Sequence, residues 1–115
     1  MLKSKLFQGN EYPLYIYNGE ALISKAFRFW YEDCDNVETV FDFPDYVSSY
    51  FKVYNERLGR VIRTIALTRS GTYLVANTSE VDMTFDSNGN YYYEVGYIMA
   101  GGYEQVLRYG KLQIQ

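Results

Sequence analysis

The chain has 115 residues, 48% of them hydrophobic and 22% charged, with a net charge of -3 and no histidine. That length suits one domain around one core, the composition excludes a wholly disordered chain, and the acidic balance argues against a groove built to neutralise nucleic-acid phosphates. Without histidine, and with Cys34 as the single cysteine, His-based triads, intramolecular disulfides and His or multi-Cys metal sites are ruled out.

Fourteen Tyr, seven Phe and one Trp make up 19% of the residues. Aromatic and β-branched side chains suit a pleated, half-buried surface, so the chain reads as all-β. The start, MLKSKLFQGNEY, has two lysines but no apolar run of signal-peptide length behind them, so no export is expected. No stretch approaches the ~18 to 20 apolar residues that a spanning helix needs, so no membrane span is expected.

Turn signals recur about every ten residues, the spacing of an antiparallel sandwich or barrel. Asn18-Gly19 lies between YPLYIY and EALI; a type I′ hairpin there would set Leu14 opposite Ile23, Tyr15 opposite Leu22 and Ile16 opposite Ala21. Pro13 has no amide hydrogen and places the first of these strands at a sheet edge. KAFRFWYE alternates Phe27, Phe29 and Tyr31 with Arg28 and Trp30 and ends at DCDN, and VETVFDF follows up to Pro44. In YVSSYFKVY the period of two sets Val47, Phe51 and Val53 against Tyr46, Tyr50, Lys52 and Tyr54; a helix from Pro44 to residue 50 is the weaker alternative.

NERLG turns the chain into RVIRTIALT, RSG turns it into TYLVA, and a short strand VDMTF leads to the turn DSNGN. In YYYEVGYIM, Tyr91, Tyr93, Val95, Tyr97 and Met99 share the face expected to be core. Ala100 to Tyr103 closes a hairpin. On its return strand Leu107 and Tyr109 have the opposite parity to Leu112 and Ile114, and a β-bulge at Gly110 would reconcile all four. The expectation is one domain of about seven to nine strands, folded as an antiparallel immunoglobulin-like sandwich.

Candidate chemistry is sparse. Asp86, Asn88 and Asn90 alternate like the first ligands of a calcium loop, but Tyr91 and Tyr97 stand where that loop needs Gly and Glu. Glu32, Asp33, Asp35 and Glu38 cluster around Cys34 as an ordinary acidic turn. No phosphate loop, nucleophile elbow or zinc-protease motif occurs, so no enzyme and no cofactor is expected. Tyrosines can serve as a sugar platform, for which Tyr50, Tyr54, Tyr92 and Tyr103 are the candidates, or as protein contacts, where Tyr and Arg are enriched.

GRVIRTIALTRSGTYLV, then EVDMTF, Gly89 before Tyr91 and Tyr93, and Leu107 with the ending YGKLQI carry a resemblance over roughly residues 37 to 114. Together they resemble the small immunoglobulin-like modules of tailed-bacteriophage virion proteins, notably the N-terminal module of baseplate upper proteins and related neck, fibre and head-decoration domains. The resemblance implies a virion structural or adaptor protein, assembled in the host cytoplasm. Its partners would be other virion proteins or further copies of itself, with no nucleic acid among them. Tyr12, Tyr15 and Tyr17 near the first edge, with Arg57, Arg60, Arg63 and Arg69, are the candidate contact residues.

Overall fold

The structure is a computed structural model and describes residues 3–4, 13–19, 26–32, 34–43, 47–56, 59–76 and 83–115; for residues 3, 4, 31 and 32 only the backbone is described. Among these residues there is no α-helix. Ten strands follow in chain order: β1 (Lys3–Ser4), β2 (Leu14–Ile16), β3 (Ala26–Arg28), β4 (Trp30–Glu32), β5 (Glu38–Val40), β6 (Ser48–Tyr54), β7 (Val61–Ser70), β8 (Tyr73–Ala76), β9 (Gly89–Ile98) and β10 (Glu104–Ile114). The all-β expectation therefore holds. Seven strands form one sheet in the order β2-β10-β9-β6-β7-β8-β3, and β1-β4-β5 form a smaller one.

The large sheet is mixed, not wholly antiparallel. Strand β2 runs parallel to β10, pairing Leu14 with Leu112 and Ile16 with Ile114. The expected type I′ turn is also absent, because it needs positive φ at both central residues, whereas Gly19 (φ 87°) has it and Asn18 does not. The hairpin partners expected at residues 21–23 lie outside the described residues. Asn18 donates its amide to Gln115 O and Gly19 to Met83 O, so the turn is tied to the end of β10 and to the 83–85 segment. Pro13 precedes the terminal strand of the sheet order, as an edge position requires.

Ring contacts show how strongly the large sheet curls. Three strand spacings separate β3 from β6, about 14 Å on a flat sheet. Yet Phe27 of β3 stacks on Phe51 of β6 with ring centroids 5.8 Å apart, and Phe51 stacks in turn on Tyr93 of β9 at 5.5 Å and 10°. The sheet folds over its own concave face, and the core is the space so enclosed. A second group of rings, Phe29, Phe41, Phe43 and Tyr97, meets edge to face where the chain passes into the small sheet.

That passage divides the expected strand KAFRFWYE in two. Phe29, fully buried, separates β3 in the large sheet from β4 in the small one, and its carbonyl accepts the amide of Phe41 at 2.7 Å. Residues 83–85 of the expected strand VDMTF belong to no strand, although Met83 and Phe85 are buried. Their backbone groups pair with Gly19 and with the Asn18 side chain, which donates to Phe85 O and accepts from Phe85 N, both at 2.9 Å. This segment bridges β2 and β7, four strand spacings apart in the sheet order.

Alternation along the long strands matches the expected period of two. Phe51, Val53, Ile65, Leu67, Tyr93, Val95 and Tyr97 point into the core. Ser49 also points inward, and its hydroxyl donates to Leu67 O at 2.8 Å, which satisfies that buried polar group. The parity change on β10 falls at Leu107, not at Gly110: the ladder slips between Val106 and Arg108, while Gly110 pairs regularly with Tyr93. Tyr109 consequently pairs with Glu94 on the outer face, and Arg108 takes the inward place with its guanidinium 5.1 Å from the Phe29 ring centroid. Burial of Leu107 selects the slip at that residue.

Candidate functional site

Outward-facing residues are set by the same alternation. With Phe27 and Phe29 buried, Arg28 and Trp30 must face out, and Tyr73 of β8 lies directly opposite Arg28 in the ladder. The Arg28 guanidinium stands 5.0 Å from the Tyr73 ring centroid and 5.7 Å from that of Trp30, and its Nη1 donates to Tyr73 Oη at 3.3 Å. Trp30 and Tyr73 remain 37% and 39% exposed. A guanidinium held against two accessible rings has lost much of its rotamer freedom before any partner arrives, and Trp, Tyr and Arg are the residues that dominate protein contacts. Neither Trp30 nor Arg28 is among the residues expected from sequence; the sole tryptophan on an outward parity was the available signal.

At the start of β7 the residues Arg60, Ile62, Arg63, Phe85, Asp86 and Tyr91 line a cleft of about 510 Å³. Arg63 shares the inward parity of Ile65 and Leu67 but sits at the rim, where its guanidinium covers Phe85 at 5.1 Å and Nη2 donates to Thr84 O at 2.7 Å. Tyr91 packs on Phe85 at 4.9 Å and donates its hydroxyl to Ser87 O at 2.8 Å. Arg60 stands exposed at the mouth, its amide bonded to Asn55 Oδ1 at 2.9 Å.

The structure brings only some of the expected contact residues together. Arg60 and Arg63 share the cleft, but Arg69 lies about 20 Å further along β7. There it covers Phe43 at 5.6 Å and pairs with Asp42 at 2.9 Å. Tyr15, within β2, and Tyr17, just after it, are well exposed. Tyr12 and Arg57 lie outside the described residues.

Among the four tyrosines expected as a sugar platform, Tyr50 departs from the expected exposure and is only 3% exposed. Gly96 stands opposite it in the ladder and has no side chain, so the ring lies down in the gap, and the Lys52 ammonium covers it 4.4 Å from the centroid. Tyr54 and Tyr92 are ladder partners, whereas Tyr103 lies at the far end of β9 and β10, so the four do not form one flat patch.

Two charged contacts lie on this outer face. Lys52 pairs with Glu104 at 3.0 Å, and Tyr54 donates to Glu94 at 2.9 Å. Burial, reinforced by Glu94, pushes the Tyr54 phenol up to about 12. Burial first, then Glu104 and Glu94, holds Tyr50 far above the ordinary phenol range, and burial also raises Tyr97. All three therefore stay protonated near neutral pH and act as ring and hydroxyl, not as phenolates.

Asn88 of the calcium-like turn accepts a hydrogen bond from Asn18 at 3.0 Å, and among the described residues no group of three or more acidic or Cys side chains is placed to hold a metal. Among the described residues, no helix is long and apolar enough to cross a membrane. No protein-family model, curated protein or solved structure matches this chain.

Proposed function

We propose that this chain is a structural or adaptor protein of a tailed-bacteriophage virion, acting through protein assembly and catalysing no reaction. In this reading the curled seven-stranded sheet and its three-stranded companion are a divergent form of the immunoglobulin-like modules that residues 37 to 114 resemble. The supporting observation is the Arg28, Trp30 and Tyr73 cluster, in which a cation is held against two accessible rings on the outer surface. Such a cluster gives a docking partner large apolar area and directed donors at small entropic cost.

Particle incorporation tests the proposal. Trp30→Ala together with Tyr73→Ala should leave the isolated fold intact, since both side chains face outward, and should reduce the copies of the protein found in purified particles. Normal incorporation of that variant would overturn the reading. A response confined to a glycan array would favour the carbohydrate-binding alternative.

A further inference from the structure

Within the outward cluster on β3, β4 and β8, Arg28 is held firmly but supplied with few acceptors. Arg69 pairs with Asp42 at 2.9 Å and Lys52 with Glu104 at 3.0 Å, whereas among the described residues no carboxylate pairs with Arg28. Its hydrogen bond to Tyr73 Oη is long at 3.3 Å, and its Nε has no acceptor among the described residues. The remaining contacts are with the Tyr73 and Trp30 rings, and a ring face offers no lone pair to an N–H group. The guanidinium is therefore fixed in place with donors to spare, on a chain whose acidic residues outnumber its basic ones by fourteen to eleven.

We infer that this cluster receives an acidic side chain, Asp or Glu, from a second virion protein, with the carboxylate on the Arg28 Nη groups and apolar neighbours on Trp30 and Tyr73. This rests on the assembly reading above and names the chemistry of its partner. The planar fork of arginine matches a carboxylate bidentately, and among the described residues only the long Tyr73 Oη bond competes for the Nη donors. Trp30 and Tyr73 leave more than a third of their surface open, so apolar groups packed on them would shield the ion pair from water. A nucleic-acid phosphate backbone is the less suited anion, because the net charge of -3 repels a polyanion, whereas one carboxylate meets mainly the local guanidinium.

Two rings and one guanidinium fall short of the ~800 Å² per partner of a standard interface, so this contact is the anchor of a larger surface. A few central Trp, Tyr and Arg residues carry most of the binding energy in such surfaces. Here the rings supply area, and the ion pair fixes which side chain of the partner sits between them.

Trp30, the sole tryptophan of the chain, lies beside Arg28, so its fluorescence reports occupancy. The full chain is titrated with a capped peptide holding one glutamate between two leucines, and with the same peptide carrying glutamine. The glutamate peptide should shift Trp30 emission, and exchange to the glutamine peptide or to the Arg28→Gln variant should weaken binding at least about tenfold. In particles, Arg28→Gln and Arg28→Glu should lower incorporation at least about tenfold, and Arg28→Lys, which keeps the charge but loses the fork, should fall between. Urea midpoints check that each variant folds; for one that does not, the two peptides on the wild-type chain still decide. Equal responses to the two peptides, or to inorganic phosphate at matched ionic strength, would overturn the carboxylate site. Normal incorporation of Arg28→Glu would overturn its acidic virion partner.

If the Trp30 and Tyr73 substitutions block incorporation while Arg28→Glu does not and the two peptides behave alike, the carboxylate site fails and the assembly reading stands. If the glutamate peptide binds through Arg28 while incorporation ignores Trp30, Tyr73 and Arg28, the site stands and the assembly reading of this cluster fails.

Discussion

Gly96→Ala tests the packing of the outer face through the sign of its effect. Gly-to-Ala exchange at an unstrained position normally stabilises a protein by about 0.4–1 kcal/mol, because the unfolded chain loses freedom. Here φ is not positive, so the backbone accepts alanine. The new Cβ would meet the Gln105 carbonyl oxygen in sub-contact range, Tyr50 Oη at 2.7 Å and Tyr50 Cζ at 3.0 Å. The carbonyl is fixed in the β9 and β10 ladder just before its slip, and the ring is held under Lys52. Overpacking of this kind costs about 1–3 kcal/mol, and a backbone obstacle places it toward the top of that range. The net expectation is a loss of about 2 kcal/mol, read by urea denaturation as a lower midpoint at unchanged slope, with a fall in Tm of roughly 6–12 °C for a domain of this size. A variant as stable as the wild type, or more so, would refute the account of Tyr50 burial.

Further expectations concern single side chains. Tyr50→Phe removes a buried hydroxyl with no protein partner among the described residues and should stabilise the fold by about 1 kcal/mol, measured by the same denaturation. Asn18→Ala removes two bonds to Phe85 and one to Asn88 and should cost about 2 kcal/mol; Asn18→Asp, which keeps only the acceptor, should recover part of the loss. On alkaline titration, Tyr54 keeps its proton in the folded state up to about 12 against an ordinary 10.0, so the unfolded chain releases that proton first. Stability should therefore be level below pH 10 and fall between pH 10 and 12, and a midpoint insensitive to pH across that window would contradict the environment assigned to Tyr54. Tyr15→Ser with Tyr17→Ser should leave the melting curve unchanged and lower incorporation into particles; normal incorporation would remove β2 as a contact edge.

Period-two alternation makes the core legible in the sequence. Phe51, Val53, Tyr93, Val95 and Tyr97 line one enclosed space because neighbouring side chains on a pleated strand must take opposite faces. Pairing direction was less legible. A two-residue signal such as Asn18-Gly19 suggests a local hairpin, but the Asn18 side chain found Phe85, 67 residues away, and β2 settled parallel to β10. The bulge expected at Gly110 follows from parity alone, whereas the actual slip falls at Leu107, which is buried in the core. Burial of Tyr50 is not legible locally, because its neighbour across the ladder, Gly96, is 46 positions away. The Arg28, Trp30 and Tyr73 cluster is hidden for a similar reason, since Arg28 meets Tyr73, 45 positions away, only through the β3 and β8 ladder.

The central claim is that this surface serves assembly. Native mass spectrometry of the full chain, alone and with solubilised particle components, tests it most directly. The account predicts a species heavier than the 13.5 kDa monomer, formed with a second virion protein and lost when Trp30 and Tyr73 are replaced. A monomer that ignores every particle component would contradict it.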